Sequence, residues 1–151
     1  MSLSFDLIPL GLEYIASYIK DSVDQVNIVD LELDNRKFQD IINLYNPDIV
    51  GITLSATEHT QGLRLAKIAK QNNLPTIVGG YHPTALPDIM LSHPQIDAVV
   101  RGEGEATMKE LIETGTFENV LGLSYRKNGK IIHNQNRNNT ASQQTVNRTY
   151  H

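Results

Sequence analysis

The chain has 151 residues, enough for one domain with a core of its own. Its net charge of −4, from 13 basic and 17 acidic residues, offers no broad positive surface for nucleic acid or acidic lipid, and no apolar run approaches the length of a transmembrane helix. It contains no cysteine, which excludes disulfides, thiolate zinc sites, cysteine nucleophiles and cysteine-ligated iron–sulfur clusters from these residues.

The N-terminus has no basic region followed by a long apolar stretch, so no signal peptide is expected, and the lack of cysteine fits a cytoplasmic location. The first predicted element is a helix in PLGLEYIASYIKDS, which opens on Pro9 and sets Leu12, Ile15, Ala16 and Ile19 at helical spacing. VNIVDLE follows as a short β-branched strand, and RKFQDIINLYN as a second helix stopped by Pro47. DIVGITLS is an almost continuous apolar run, the pattern of a strand covered on both faces. TQGLRLAKIAKQNN reads as a third helix, PTIVGG as another buried strand and TALPDIMLSH as a short helix or turn interrupted by Pro87. IDAVVRG is a further strand, and EGEATMKELIET a helix with acids in its first turn, in keeping with its dipole. GLSYRKNGKIIHN then alternates apolar and polar residues around Asn128-Gly129, a strong hairpin signal. From Asn134 the chain is polar and rich in Asn, Gln and Thr, so residues 1–133 are expected to form the domain and 134–151 a polar tail or linker.

Alternating strands and helices predict a parallel sheet with helices on both faces. Such sheets bind ligands outside the carboxyl ends of their strands. Function is therefore expected in the loops after Asp30, Leu54, Val78 and Val100, which read DLELDN, SATEHT, GGYHPT and GEGEAT. Three of them consist largely of small or hydroxyl residues. Glycine allows positive φ and close approach of a ligand to the backbone, and Ser55 and Thr57 carry short polar groups. Together they suit a large, mostly apolar ligand. Standing alone, Gly79-Gly80 reads equally well as a plain turn. GEGEAT approaches the dinucleotide fingerprint, but Thr107 occupies the third glycine position and Glu103 and Glu105 would repel a pyrophosphate. His59, His82, His93, His133 and His151 show no metal-ligand spacing and are expected to be ordinary loop residues; no Ser/His/Asp grouping stands out.

Taken together, PLGLEYIASYIKD, PDIVGIT, IVGGYHPTALPD, IDAVVRGEGEATMKEL and GLSYRKNGKII follow one another in an order and spacing that resembles the N-terminal cobalamin-binding domain of radical S-adenosylmethionine enzymes. That class includes cobalamin-dependent methyltransferases and the anaerobic Mg-protoporphyrin IX monomethyl ester cyclase. The resemblance runs from Pro9 to Ile132. It implies a flavodoxin-like, Rossmann-like α/β fold, with the corrin over the carboxyl ends of the strands and the nucleotide tail entering alongside the sheet. By resemblance, Ser55, Ala56 and Thr57 lie near the corrin or tail, and Gly79 and Gly80 let the nucleotide pass against the backbone. Tyr81, His82 and Pro83 shape the rim, and Gly102, Glu103 and Gly104 close the other side. No catalytic residue and no metal ligand is expected in this chain.

Two departures from the family pattern matter. Family members open on a hydrophobic strand ahead of the Pro-Leu-Gly-Leu motif, whereas only MSLSFDLI precedes Pro9 here. In the 2-1-3-4-5 strand order that strand is central, so the first strand is expected to be missing or degenerate. Either Leu3–Ile8 partly substitutes for it or the chain is a truncated piece, with an open strand edge that a homodimer would close. The radical domain, moreover, needs a three-cysteine cluster motif, so catalysis would belong to a downstream radical S-adenosylmethionine domain. The leading expectation is a cobalamin-binding module for methyl transfer or related radical chemistry. The alternative is a non-catalytic α/β domain that has lost cobalamin and acts in protein association. A nucleotide-binding enzyme is a weaker third reading.

Overall fold

The computed structural model describes residues 2–6 and 9–138. Its elements are β1 (Ser2–Asp6), α1 (Pro9–Ile19), β2 (Gln25–Val29), α2 (Phe38–Tyr45), β3 (Ile49–Thr53), α3 (His59–Gln71) and β4 (Thr76–Gly79). Two short helices follow, α4 (Tyr81–Ala85) and α5 (Pro87–Leu91), then β5 (Ala98–Val100), α6 (Glu105–Thr114), β6 (Leu123–Lys127) and β7 (Lys130–His133). Seven strands form one sheet in the order β2-β1-β3-β4-β5-β6-β7, parallel from β2 to β5 and antiparallel from β5 to β7.

Side-chain alternation explains the apolar runs. Ile49, Ile77, Ala98 and Val100 pack with Leu12 and Ile19 of α1 and Met108 and Leu111 of α6. Their neighbours Val50, Ile52, Val78 and Val99 join Phe38 and Ile42 of α2, Leu65, Ala66 and Ala69 of α3, and Met90 and Leu91 of α5. A strand sends successive side chains to opposite faces, so two covered faces favour apolar residues at nearly every position; the buried exception in β3, β4 and β5 is Thr76, at the start of β4. Pro87 sits at the start of α5 and divides the TALPDIMLSH segment into two helices. Asn128 and Gly129 both take positive φ, 52° and 75°, as the two-residue hairpin turn requires.

The central place expected to lack a strand is filled. Ser2–Asp6 pairs in parallel with β2 on one side and with β3 on the other, Phe5 lying opposite both Ile28 and Gly51. The first strand is short rather than missing. The open central edge, and with it the ground for a homodimer through that edge, is absent.

The packed unit also extends beyond His133. Asn134 Nδ2 donates to the carbonyls of Phe117 and Val120 at 2.7 and 2.9 Å, and Gly122 N donates to Gln135 O at 2.8 Å. Arg137 Nε donates to Thr107 Oγ1 at 3.2 Å, and its guanidinium pairs with Glu110. Arg101, at the end of β5, donates to the carbonyl of Asn134. Residues 134–137, assigned to the tail by composition alone, thus belong to the domain, while 139–151 lie outside the described residues. Among the described residues no helix is long and apolar enough to cross a membrane.

Candidate functional site

Three loops meet at the carboxyl ends of β3, β4 and β5. After β3, Ser55 caps a short 3-10 turn over Ala56–Glu58. Its N–H and hydroxyl both donate to Glu58 Oε2, at 2.9 and 2.7 Å, and its Oγ lies 3.0 Å from Thr57 Oγ1. This is a capping box: each end of the turn satisfies the other. After β4, Leu54 N donates to Gly79 O at 2.9 Å, which draws the two loops together. Gly80 then turns the chain into α4 with φ 108° and ψ −177°, a conformation that is essentially restricted to glycine. A Cβ on Gly80 would stand 2.7 Å from Leu54 O. After β5, Gly102 has φ 76° and donates its N–H to Thr84 Oγ1 at 3.0 Å. The hydroxyl of Thr84 in α4 therefore holds the third loop against the second.

Between α1, α6 and the sheet these loops open into a cleft of about 590 Å³. Its walls contain Gly11 of α1, Gly51 of β3, Gly79 of β4 and Gly104 before α6. A Cβ on Gly11 would meet nothing within 4 Å, so that position borders open space, while one on Gly79 would stand in ordinary contact with Val100 at 3.8 Å. A Cβ on Gly104 would come within 3.1 Å of Ile15 Cδ1 and narrow the passage between the helices. Leu12, Ile15, Ile77, Val100 and Met108 make an apolar floor. Thr53, Ser55, Glu58, Tyr81, Thr84, Glu103 and Glu105 supply the polar groups of the lining. An apolar interior with a few polar groups is the ordinary make-up of a small-molecule site.

Of the residues singled out from sequence, Ser55, Gly79, Gly80, Tyr81, Gly102, Glu103 and Gly104 line this cleft together. Ala56, Thr57, His82 and Pro83 are outside its lining among the described residues. Pro83 is buried, and His82 turns to His59 instead, Nε2 to Nδ1 at 3.1 Å. Gly80 is present for an internal reason, since its missing side chain accommodates the backbone of Leu54. The α1 wall of Gly11, Leu12 and Ile15 lies outside the strand-end loops; its signal in the sequence is a glycine inside a helical pattern.

Two side-chain clusters lie outside the cleft lining. The His59 ring stands 5.1 Å from that of His82 and 5.7 Å from that of His93, centre to centre. Burial, then repulsion from His82 and His93, lowers the His59 pKa below its ordinary 6.5. Ser124 Oγ, His133 and Asp88 form a chain with contacts of 2.7 and 2.9 Å. Ser124 is 0% exposed, so its hydroxyl is closed to a substrate and the chain ties β6 and β7 to α5. Among the described residues, no group of three or more His, Asp or Glu side chains is arranged to hold a metal ion.

The family model described as "B12 binding domain" matches residues 1–112. An uncharacterized methyltransferase of Pyrococcus horikoshii is 42% identical over 133 residues, which cover 82% of this chain and 29% of that protein. The anaerobic magnesium-protoporphyrin IX monomethyl ester cyclase of Rubrivivax gelatinosus is 32% identical over 139 residues, covering 82% and 25%. The chain thus spans less than a third of the length of these curated relatives. Among solved structures, the cobalamin-dependent S-adenosylmethionine radical enzyme OxsB with aqua-cobalamin and S-adenosylmethionine bound superposes with a TM-score of 0.75. It is 21% identical, and the match covers 91% of this chain and 22% of that one. The radical S-adenosylmethionine methyltransferase TsrM from Kitasatospora setae also gives 0.75, at 17% identity, covering 89% and 30%. Both share the fold.

Proposed function

The chain belongs to the B12-binding domain family, and from that membership we propose that it holds cobalamin with the nucleotide tail in the cleft between α1, α6 and the sheet. The corrin macrocycle then lies over the carboxyl ends of β3, β4 and β5. The observation that carries this reading is the glycine-bordered passage. Open space at Gly11, and a bare backbone at Gly79 beside Val100 in the cleft lining, admit a bulky group where side chains would fill the space.

The residues fit the group. Gly79, Gly51 and Gly104 border the tail, and Leu12, Ile15, Ile77, Val100 and Met108 exclude water from it. Tyr81, 97% exposed at the mouth of the cleft, is available to the macrocycle. Thr84 fixes the Gly102–Gly104 loop through the Gly102 N–H. Ser55 contributes by shaping its loop rather than by donating to the ligand, because Glu58 already takes its N–H and hydroxyl. Ala56, Thr57, His82 and Pro83 support the loops from outside the lining.

When bound, cobalamin supplies cobalt-centred group-transfer chemistry, and the protein supplies placement and electrostatics. Methyl transfer or related radical chemistry belongs to a radical S-adenosylmethionine domain, in a protein that works in the cytoplasm. The iron–sulfur cluster of that domain must be held elsewhere, because these 151 residues include no cysteine. The association reading relied on an open central edge, and β1 is paired on both sides.

The test is to titrate the purified chain with hydroxocobalamin or methylcobalamin and to follow the visible spectrum and co-elution on gel filtration. Stoichiometric retention is expected. A folded chain that retains no corrinoid at high micromolar concentration would remove this function.

A further inference from the structure

We propose that the floor of the cleft selects the lower base of the cobamide, accepting 5,6-dimethylbenzimidazole in preference to a purine such as adenine. This rests on the cobalamin reading and adds to it which corrinoid the site takes.

The argument is one of depth and hydrogen-bonding inventory. Leu12, Ile15 and Ile77 carry no nitrogen or oxygen in their side chains, and Met108 offers only a thioether, a weak acceptor. The strand backbone at this level is engaged in the ladder: Gly51 is paired with Ile77, and Ile77 with Ala98. Polar side chains begin higher. Thr53 is two residues above Gly51 along β3, about 6.6 Å at the usual strand rise. Glu105 is three residues above Met108 on α6, about 4.5 Å at the usual helical rise. A group lowered to the level of Ile77 and Met108 therefore leaves the polar layer behind.

Dimethylbenzimidazole presents two methyl groups and a carbocyclic edge, which such a floor accepts. Adenine presents an exocyclic amine and further ring nitrogens, which would lose water and gain no partner. A buried donor or acceptor without a partner costs about 1–3 kcal/mol, which is about 5- to 150-fold in affinity.

The experiment uses the intact chain and three probes: aquacobalamin, its adenine-based analogue adeninylcobamide, and cobinamide, which lacks the nucleotide. Affinities are read by calorimetry and visible spectra. Aquacobalamin is expected to bind about 5- to 150-fold more tightly than adeninylcobamide, and cobinamide more weakly than aquacobalamin. Ile15→Asn and Met108→Gln, each putting an amide on the floor, are expected to shrink the preference over adenine to under about threefold, against unliganded melting curves as the folding control. Should both variants fail to fold, the wild-type comparison decides alone. Equal affinity for the two bases, or cobinamide bound as tightly as aquacobalamin, overturns the base selection while leaving cobalamin binding intact. Failure of all three probes to bind a folded chain overturns the cobalamin reading itself.

Discussion

Gly79 and Gly80 are adjacent, yet the structure assigns them opposite sensitivities, and alanine substitution separates them. At Gly80 the new methyl would lie 2.7 Å from Leu54 O, 3.1 Å from Thr53 Oγ1 and 3.2 Å from Leu54 N, in a backbone with φ 108°. Two of those three neighbours are backbone atoms of a core strand end and cannot rotate away. A glycine-only conformation costs an alanine of order 1–3 kcal/mol, and overpacking a fixed neighbour about as much again. Gly80→Ala is therefore expected to lose about 3 kcal/mol of stability, a fall of about 6–12 °C in Tm for a domain of this size. At Gly79 the nearest atoms to the added methyl are 3.8 Å away, an ordinary contact. Gly79→Ala is expected to melt within a few degrees of the parent but to bind aquacobalamin about tenfold more weakly, because the methyl projects into the cleft. Thermal denaturation by circular dichroism and a corrinoid titration on both variants make the comparison. If Gly80→Ala melts like the parent, or Gly79→Ala is the less stable of the two, the assignment of one glycine to the fold and the other to the ligand is wrong.

Thr84→Val keeps the shape but removes the acceptor for the Gly102 N–H, and corrinoid affinity is expected to fall about fivefold, with Thr84→Ser restoring it; equal affinities in all three proteins would exclude the positioning role. Arg126 donates to the carbonyls of Leu91, His93 and Ile96 at 2.7–2.9 Å; His93 O also accepts from Ile96 N, so Arg126→Met strips the Leu91 and Ile96 carbonyls of this donor and is expected to cost about 2–3 kcal/mol in urea denaturation, whereas a loss under about 0.5 kcal/mol would show that water replaces it. Because the native His59 pKa is lowered from 6.5, the unfolded chain binds more protons than the native one as the pH falls below 6.5. Stability is expected to be full above 6.5 and to decline as the pH falls toward the lowered native value. Urea midpoints from pH 7.5 to 5 should decline less steeply in His59→Asn, and parallel profiles would remove His59 as a cause.

Much of this arrangement was legible in the residues. The buried runs at Ile49–Thr53 and Thr76–Gly79, the Asn128-Gly129 turn and the strand order follow from periodicity, turn chemistry and the resemblance, and the structure agrees with them. β1 was harder because Ser-Leu-Ser-Phe-Asp alternates instead of forming the apolar run expected of a central strand. The anchoring of residues 134–137 was hidden because composition marks polarity and not partners: Asn134 and Arg137 are polar, and both are hydrogen-bonded to the domain. The site showed the same limit. The Ser55 hydroxyl reads as a polar group free for a ligand, although Ser-Ala-Thr-Glu already spells a capping box that consumes it. His82 reads as part of the rim together with its loop, while its partner His59 lies 23 residues earlier and meets it only through the crossover. Periodicity identified the buried side of α1 through Leu12 and Ile15, but not that part of this side borders a void at Gly11.

The hold of Arg101 on the carbonyl of Asn134 has a consequence for whatever the chain does beyond the domain. Arg101 directly precedes the Gly102–Gly104 loop of the cleft, so the departing polypeptide starts from a point fixed relative to the mouth of the site. A module tethered there samples the cleft at an effective concentration set by the length of its tether from that origin. Loosening that grip together with those of Gly122 on Gln135 and of Arg137 on Thr107 and Glu110 would lengthen the tether by several residues and dilute the module without altering the cleft lining.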